Sequence, residues 1–151
     1  MKDRDDQKFM RRALKEARMA AARGEVPVGA VIEQRGEVIA AAGNKRETAK
    51  DPTAHAEILA IRQAAEKLGG WRLRGCTIYV TVEPCPMCAG AIYQARIDRL
   101  VFGAPDLKAG ACGSLMDIVR DGRLNHRVEV TGGVMAGMAA ETLRVFFTAR
   151  R

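Results

Sequence analysis

The chain has few of the residues that mark specialised protein classes. Only 5% of its 151 residues are aromatic, and it has four cysteines and two histidines. Four cysteines at this length are too few for a disulfide scaffold, and no hydrophobic run reaches the roughly 18 residues of a membrane-spanning helix. Charges of both signs interrupt the first 20 residues, which argues against a secretory signal peptide. We therefore expect a reduced, cytoplasmic protein without membrane segments, whose functional cysteines serve a metal or a reaction.

The composition is typical of a globular domain. Hydrophobic residues make up 48% of the chain and charged residues 28%, and the length corresponds to a single domain over residues 1–151. The net charge of +7 favours anionic partners such as nucleic acid or phosphorylated metabolites. Basic and acidic residues are mixed along the chain, however, so an ordinary solvated surface explains the charge equally well.

Hydrophobic periodicity predicts an alternation of helices and strands. Apolar residues at three- and four-residue spacing predict helices over 3–23, 53–68, 86–96 and 136–150, with a short further helix over 114–119. Runs of β-branched and apolar residues predict strands over 28–32, 38–41, 76–82, 99–102 and 127–130.

The order of these elements predicts the architecture. The first two strands flank Gln34-Arg35-Gly36, which is typical of a hairpin turn. The strand–helix–strand order over 76–102 implies a right-handed crossover between parallel strands. We therefore predict an α/β fold, a three-layer α/β/α sandwich around a central mixed sheet.

Two short motifs combine metal-ligating residue types at useful spacing: His55-Ala56-Glu57 and Pro84-Cys85-Pro86-Met87-Cys88. Residues three apart on a helix face the same side, so the sulfurs of Cys85 and Cys88 can point at one ion. His55 and Glu57 are only two apart, and both can approach that ion only if it lies beyond the end of their helix. The spacing therefore requires both helices to direct their N-termini, with their positive dipole ends, at the ion.

One histidine and two cysteines leave an open fourth position on a zinc ion, as in catalytic zinc sites. Zinc lowers the pKa of water in that position to about 7. Glu57 is a carboxylate close to this position, and it can take up and pass on the proton. We therefore predict Zn²⁺ held by His55, Cys85 and Cys88, with Glu57 as the catalytic acid and base.

Two other interpretations of the Cys85–Cys88 pair remain. A redox pair is disfavoured because the chain lacks a thioredoxin-like context and has His55 and Glu57 about 30 residues upstream. A structural zinc site with four cysteines would have to recruit Cys76 and Cys112, which form no second CxxC motif. We expect these two cysteines to be buried as small apolar side chains.

The sequence also gives expectations for the second histidine and for the methionines. His126 is expected to be a structural histidine, since three ligands already suffice for the ion. Most of the seven methionines are expected in the core, except Met87, which is expected near the pocket.

The H-x-E…P-C-x-x-C pattern resembles that of the cytidine deaminase-like zinc deaminases. Within this superfamily the chain resembles the bacterial tRNA-specific adenosine deaminases over nearly its whole length. The further segments that carry the resemblance are residues 25–31, 51–57, 110–115 and 124–128 and the Phe146-Phe147 pair.

The resemblance implies hydrolysis of the wobble adenosine of a tRNA anticodon stem-loop to inosine, with the base flipped into the zinc pocket. It also implies one Zn²⁺ per subunit and a homodimer whose RNA-binding surface draws on both subunits. By position, Asn44 matches the asparagine that contacts the target base, and Val28 matches an apolar wall. Ala56 is a further expected substrate contact.

Asp106 and Lys108 lie in the loop that resembles the family's RNA-contacting segment. Pro105 departs from the basic or polar residue expected there. Without the resemblance, Asn44 after Gly43 is typical of a turn, and Asp106 and Lys108 are ordinary loop charges.

Two other functions remain open on the sequence. The same site chemistry serves a deaminase of a free nucleobase or nucleoside, of the guanine or cytosine type. A non-enzymatic RNA-binding domain with a structural zinc ion is the second.

Overall fold

The computed structural model describes residues 2–150 of the chain. Its helices and strands, in chain order, are α1 (Lys2–Ala22), β1 (Gly29–Gln34), β2 (Glu37–Gly43), α2 (Ala56–Leu68), β3 (Cys76–Val82), α3 (Pro86–Gln94), β4 (Arg99–Ala104), β5 (Glu129–Thr131) and α4 (Ala136–Ala149). Over this part of the chain, no helix combines the length and the apolar character needed to cross a membrane.

The five strands form one sheet in the order β2-β1-β3-β4-β5. The β1–β2 and β1–β3 pairs are antiparallel, whereas β3–β4 and β4–β5 are parallel. The connection from β3 through α3 to β4 is therefore the crossover predicted from the sequence, and the sheet is mixed as expected. The Pro84-Cys85-Pro86-Met87-Cys88 motif lies in this connection, because α3 begins shortly after the central strand β3 ends, whereas His55-Ala56-Glu57 lies at the start of α2.

Side chains that alternate along the strands supply two hydrophobic clusters, one on each face of the sheet. Ile78 and Val80 pack with residues of α2 and α3, whereas Tyr79 and Val101 pack with residues of α1 and α4. The sheet thus lies between two helical layers, which confirms the predicted three-layer α/β/α sandwich.

Helix α1 lies directly on the start of β1. Gly29 faces the backbone of Ala13 and Ala17, and a Cβ atom at Gly29 would collide with the carbonyl oxygen of Ala13. The backbone of Gly29 instead donates a buried hydrogen bond to Thr81 Oγ1 on β3. This close approach brings the segment before β1, including Val28, to the carboxyl end of β3.

The helix predicted over 114–119 is wrong. This segment forms turns, with an isolated antiparallel bridge between Cys112 and Asp117. The backbone N–H groups of Cys112 and Ser114 donate to the carboxylate of Glu83, and Gly113 has a φ of 135°. These tertiary hydrogen bonds hold the chain in a non-helical path.

The expectation that most methionines are buried is also wrong. Met10 is fully buried, but three others for which a core position was expected are between 45% and 50% exposed, and Met1 lies outside the described residues. These three are Met19, Met116 and Met138.

Candidate active site

Three potential metal ligands converge near the carboxyl end of the central strand β3, where α2 and α3 begin. His55 Nδ1 lies 3.7 Å from Cys85 Sγ and 3.4 Å from Cys88 Sγ, and all three ligand atoms lie within 4.8 Å of one another. A tetrahedral zinc ion, with Zn–S near 2.3 Å and Zn–N near 2.0–2.1 Å, places such atoms about 3.5 Å apart. The donor types and their separations therefore fit a zinc ion.

The ends of two helices position these ligands. His55 is the N-cap residue of α2, and Cys85 is the N-cap residue of α3, where Pro86 occupies the first turn. Proline is tolerated there because the N–H groups of the first turn have no partner within the helix. Both helices thus direct their N-termini at one point, as the motif spacing requires, and their dipoles favour negative charge there.

The contact between the two thiols shifts their pKa values in opposite directions. The hydrogen bond from Cys88 is the main cause that lowers the pKa of Cys85 to about 5, and the charge of His55 adds to the effect. The pKa of Cys88 is raised because its thiol donates that hydrogen bond and is buried. A thiolate is therefore favoured at Cys85, next to the helix end that stabilises it.

Glu57 lies in the first turn of α2 and is only 4% exposed. Burial raises the pKa of its carboxyl group to about 7, and the nearby charge of Cys85 acts in the same direction. A carboxyl group with such a pKa can both accept and release a proton near neutral pH. We call His55, Cys85, Cys88 and Glu57 together the metal corner.

The metal corner opens into a cavity of about 230 Å³. The residues that line the cavity are Val26, Val28, Asn44, Arg46, His55, Ala56, Glu57, Val82, Glu83, Cys85, Asp106 and Ala109. Four of the five substrate contacts expected from the resemblance, Val28, Asn44, Ala56 and Asp106, are thus brought together with the metal corner. Lys108 is not among the lining residues, and its side chain is exposed.

Local hydrogen bonds hold two of these expected contacts in place. Asn44 is buried, donates from Nδ2 to Val26 O at 3.4 Å and accepts from the Arg46 N–H at 3.1 Å. Asp106 Oδ1 accepts from the N–H groups of Lys108 and Ala109. The contacts of Asn44, Asp106 and Lys108 with a substrate stay predictions.

Glu83 is a wall residue that the sequence reasoning missed. Its side chain is buried and accepts hydrogen bonds from the N–H groups of Asp106, Cys112 and Ser114, each at 3.0 Å, and from the Ser114 hydroxyl. Burial alone would raise the pKa of Glu83, but these hydrogen bonds outweigh it and lower the pKa. Glu83 thereby anchors loop 105–114. Its position directly after the apolar strand β3 is the sequence feature that could have indicated this role.

Glu25 anchors the opposite wall and was missed as well. It is fully buried, and its carboxylate accepts from the N–H groups of Glu47 at 3.1 Å and Thr48 at 2.7 Å. Burial opposes its ionisation, but the hydrogen bonds from these two residues and the charge of Arg23 lower its pKa. Glu25 thus holds loop 44–51, which carries Asn44 and Arg46.

The remaining cysteines and the second histidine serve the fold. Cys76 and Cys112 are buried, and neither belongs to the group of clustered potential ligands that residues 2–150 contain. His126 Nε2 lies 2.8 Å from the carbonyl oxygen of Ile97. These positions match the expectations for all three residues. Met87 is 36% exposed and is not among the residues that line the cavity.

Known proteins resemble the chain over nearly its full length. It is 49% identical to the tRNA-specific adenosine deaminase of Bacillus subtilis strain 168 over 142 residues, which are 94% of this chain and 88% of the relative. It is also 49% identical to the tRNA-specific adenosine deaminase of Haemophilus influenzae over 147 residues, 97% of this chain and 85% of the relative.

Solved structures share the fold as well. One from studies of A-to-I editing by tRNA:A34 deaminases at the wobble position of transfer RNA has a TM-score of 0.86 and 49% identity, covering 89% of this chain and 98% of that one. The guanine deaminase of Bacillus subtilis has a TM-score of 0.64 and 42% identity, covering 71% and 69%. The model of the MafB19-like deaminase family matches residues 4–151, so the chain belongs to that deaminase family.

Proposed function

We propose that the protein is a tRNA adenosine deaminase that hydrolyses adenosine to inosine at the wobble position of a tRNA anticodon loop. The observation that carries this proposal is the metal corner at the floor of an open cavity. The chain around that site is 49% identical to tRNA-specific adenosine deaminases over more than nine-tenths of its length. The net charge of +7 suits an RNA substrate.

One zinc ion per subunit is part of the proposal, with His55 Nδ1, Cys85 Sγ and Cys88 Sγ as its ligands. When bound, the ion supplies a Lewis acid that lowers the pKa of water to about 7. The protein's own contribution at these residues is to orient three donors from two helix ends and to leave one side open to the cavity.

Glu57 moves the protons of the reaction. As water adds to C6 of the adenine, the Glu57 carboxylate takes up one of its protons and passes it to N1 of the ring. Glu57 then transfers the remaining hydroxyl proton to the amino group, which leaves as ammonia while the C6 carbonyl of inosine forms. Burial suits Glu57 to this work, because it raises the pKa of the carboxyl group to about 7.

The cavity walls orient the base. Val28 and Ala56 supply apolar contacts for a flat ring, and Asn44 supplies amide donors and acceptors at the wall. While the adenine is stacked in a folded loop, its C6 atom is inaccessible to the groups at the bottom of the cavity. The nucleotide must therefore flip out of the loop into the cavity. An open cavity admits a base that is still attached to its chain.

The test is conversion of an anticodon stem-loop RNA with adenosine at the wobble position by zinc-loaded protein. We expect inosine from the native protein, and a fall in kcat of at least about 10²–10⁴-fold for Glu57→Ala, with zinc content and melting temperature retained. Full activity of Glu57→Ala would contradict its role. The absence of inosine with the native protein would reject the proposed substrate, and zinc bound without any turnover would favour the non-enzymatic RNA-binding alternative.

Deamination of a free nucleobase or nucleoside is the second candidate. The similarity to the guanine deaminase of Bacillus subtilis, at 42% identity, favours it. The same assay with free guanine, cytosine and adenosine separates the two candidates. Turnover of a free base at a kcat/KM above that of the stem-loop RNA would favour this second candidate.

The resemblance to the tRNA deaminases also supports a homodimer and a cytoplasmic location, where tRNA is the substrate. Three apolar side chains in and next to loop 105–114 are 46–76% exposed in the single chain: Leu107, Leu115 and Met116. A partner subunit in the proposed homodimer would cover them. The continuous sheet supports the proposal that residues 1–151 act as one domain. Light scattering that gives the monomer mass would contradict the dimer.

A further inference from the structure

We infer that Arg46 is a phosphate-binding residue at the mouth of the cavity, where it selects a nucleotide within an RNA chain over a free base. This inference rests on the proposed function and names a contact that the sequence motifs do not. Arg46 lines the same cavity as Glu57 and Asn44. A base that enters the cavity leaves its phosphates outside, at the level of the mouth.

The side chain of Arg46 is available for a ligand. It is exposed, and among residues 2–150 its guanidinium group has no hydrogen-bond or ion-pair partner. Arg99, by contrast, is buried and binds Asp6 through two hydrogen bonds of 2.7 Å. A free guanidinium group beside a cavity matches the geometry of a phosphate, which it can bind through two parallel hydrogen bonds.

The backbone of Arg46 is held in place on both sides. Its N–H donates to Asn44 Oδ1 at 3.1 Å, and its carbonyl oxygen accepts from the Asp51 N–H at 3.1 Å. The next two N–H groups, of Glu47 and Thr48, donate to the buried carboxylate of Glu25. Because the loop is already ordered, binding a phosphate costs only the ordering of the Arg46 side chain itself.

The same hydrogen bonds join Arg46 to the base-binding wall. Asn44 Oδ1 accepts from the Arg46 N–H, so the amide expected to contact the base and the guanidinium at the mouth share one local network. Loop 44–51 follows β2 and loop 105–114 follows β4, on opposite sides of β1 and β3, and Asp106 of the second loop contributes a carboxylate to the cavity. A phosphate is attracted to the Arg46 side and repelled by the Asp106 side, which gives the entering nucleotide a defined orientation.

The experiment compares Arg46→Ala with Arg35→Ala on the wobble-adenosine stem-loop RNA. Arg35 is an exposed arginine at the β1–β2 turn, at the end of these strands away from Val28 and Asn44. Its variant therefore removes the same charge far from the cavity. For Arg46→Ala we expect KM to rise about tenfold, as loss of one charge-assisted hydrogen-bond pair predicts, while kcat stays within about twofold.

Salt dependence provides the readout specific to phosphate. The slope of log Kd against log salt concentration should become shallower by about 0.7–0.9 in Arg46→Ala, and Arg35→Ala should keep the native slope. Arg46→Lys should restore most of the slope but less of the affinity, since lysine keeps the charge without the bidentate geometry. Equal KM values and equal slopes for the two alanine variants would overturn the inference.

Measurement of Kd also separates this inference from the proposed function. If the native protein makes no inosine, the proposed reaction fails, but binding of the stem-loop RNA still compares Arg46→Ala with Arg35→Ala. A shallower slope for Arg46→Ala alone then supports the phosphate contact. The same slope for both variants rejects the contact whether or not inosine forms.

Discussion

The metal corner and the mouth of the cavity are built in different ways. At the metal corner, His55 and Glu57 come from one short segment and Cys85 and Cys88 from another, and both segments begin helices. At the mouth, loops 44–51 and 105–114 have no regular structure. Each depends instead on a carboxylate that lies more than 20 residues away in the chain, Glu25 for the first loop and Glu83 for the second.

We infer from this difference that the metal corner serves the reaction, whereas the loops at the mouth serve the choice of substrate. Two helix ends bring the three potential metal ligands within 4.8 Å of one another, and the two short motifs name all three of these residues. The loops that line the cavity are held by two buried carboxylates, Glu25 and Glu83, which accept hydrogen bonds from loop N–H groups. Walls of this kind can change between relatives without disturbing the metal corner, which is consistent with adenosine and guanine deaminases sharing the fold.

The largest effect is expected from loss of a metal ligand. Cys88→Ser removes a buried thiol from the group of three ligands. Because metal binding contributes to folding, zinc content, activity and melting temperature should all fall together. Zinc content is measured by atomic absorption, activity by inosine formation and stability by thermal unfolding.

Cys76→Ser is the matched control for that variant. Cys76 is equally buried but lies at the start of β3, away from the cluster of ligands. We expect it to lose some stability while keeping one zinc per subunit and the native kcat. Equal zinc content in the two serine variants would contradict the ligand assignment.

The metal corner and the cavity walls also differ in how well the sequence predicts them. The metal corner was predictable because contiguous motifs define it, and the layered fold was predictable because burial leaves a periodic pattern on helices and strands. The helix expected over 114–119 is absent because the Ser114 N–H bonds to Glu83, a partner about 30 residues away, and the Leu115 N–H bonds to the carbonyl oxygen of Gly110. Glu25 and Arg46 carry no local signal at all, since only the tertiary structure shows that one is buried and the other lines the cavity.

A smaller effect is expected from a methyl group added to loop 105–114. In Gly110→Ala the new Cβ would collide with the Glu83 carboxylate and with the Asp106 carbonyl oxygen. Overpacking of this kind costs about 1–3 kcal/mol, and each kcal/mol lowers the melting temperature by about 2–4 °C at this chain length. We expect KM for the RNA to rise because the wall moves, while zinc content stays native.

Gly122→Ala is the control for this variant, because a Cβ at Gly122 meets no atom within 4 Å. Its melting temperature and KM should match those of the native protein. If Gly110→Ala lost zinc as well, the independence of wall and metal corner would be refuted.

The smallest effect is expected at the wall that Glu25 holds. In Glu25→Gln one of the two N–H groups, of Glu47 or Thr48, would face the new amide N–H₂ group. Loop 44–51 is largely exposed, so that N–H can turn to water, and we expect a loss of about 1 kcal/mol. Exposed Glu66 offers a control, since Glu66→Gln removes a carboxylate from the surface of α2 without touching either loop.

The dependence of this loss on pH identifies its cause. The pKa of Glu25 is lower in the folded protein than its ordinary value of 4.5, so the carboxylate stabilises the fold fully above that value and loses its effect as pH falls through the folded pKa. The difference in melting temperature between the native protein and Glu25→Gln should therefore be greatest near neutral pH and shrink in acid. A difference that persisted unchanged in acid would mean that the shape of the side chain, and not its charge, holds the loop. Packing, as in the core, would then hold loop 44–51. The metal corner and the cavity walls would in that case differ only in how far apart in the sequence their interacting residues lie.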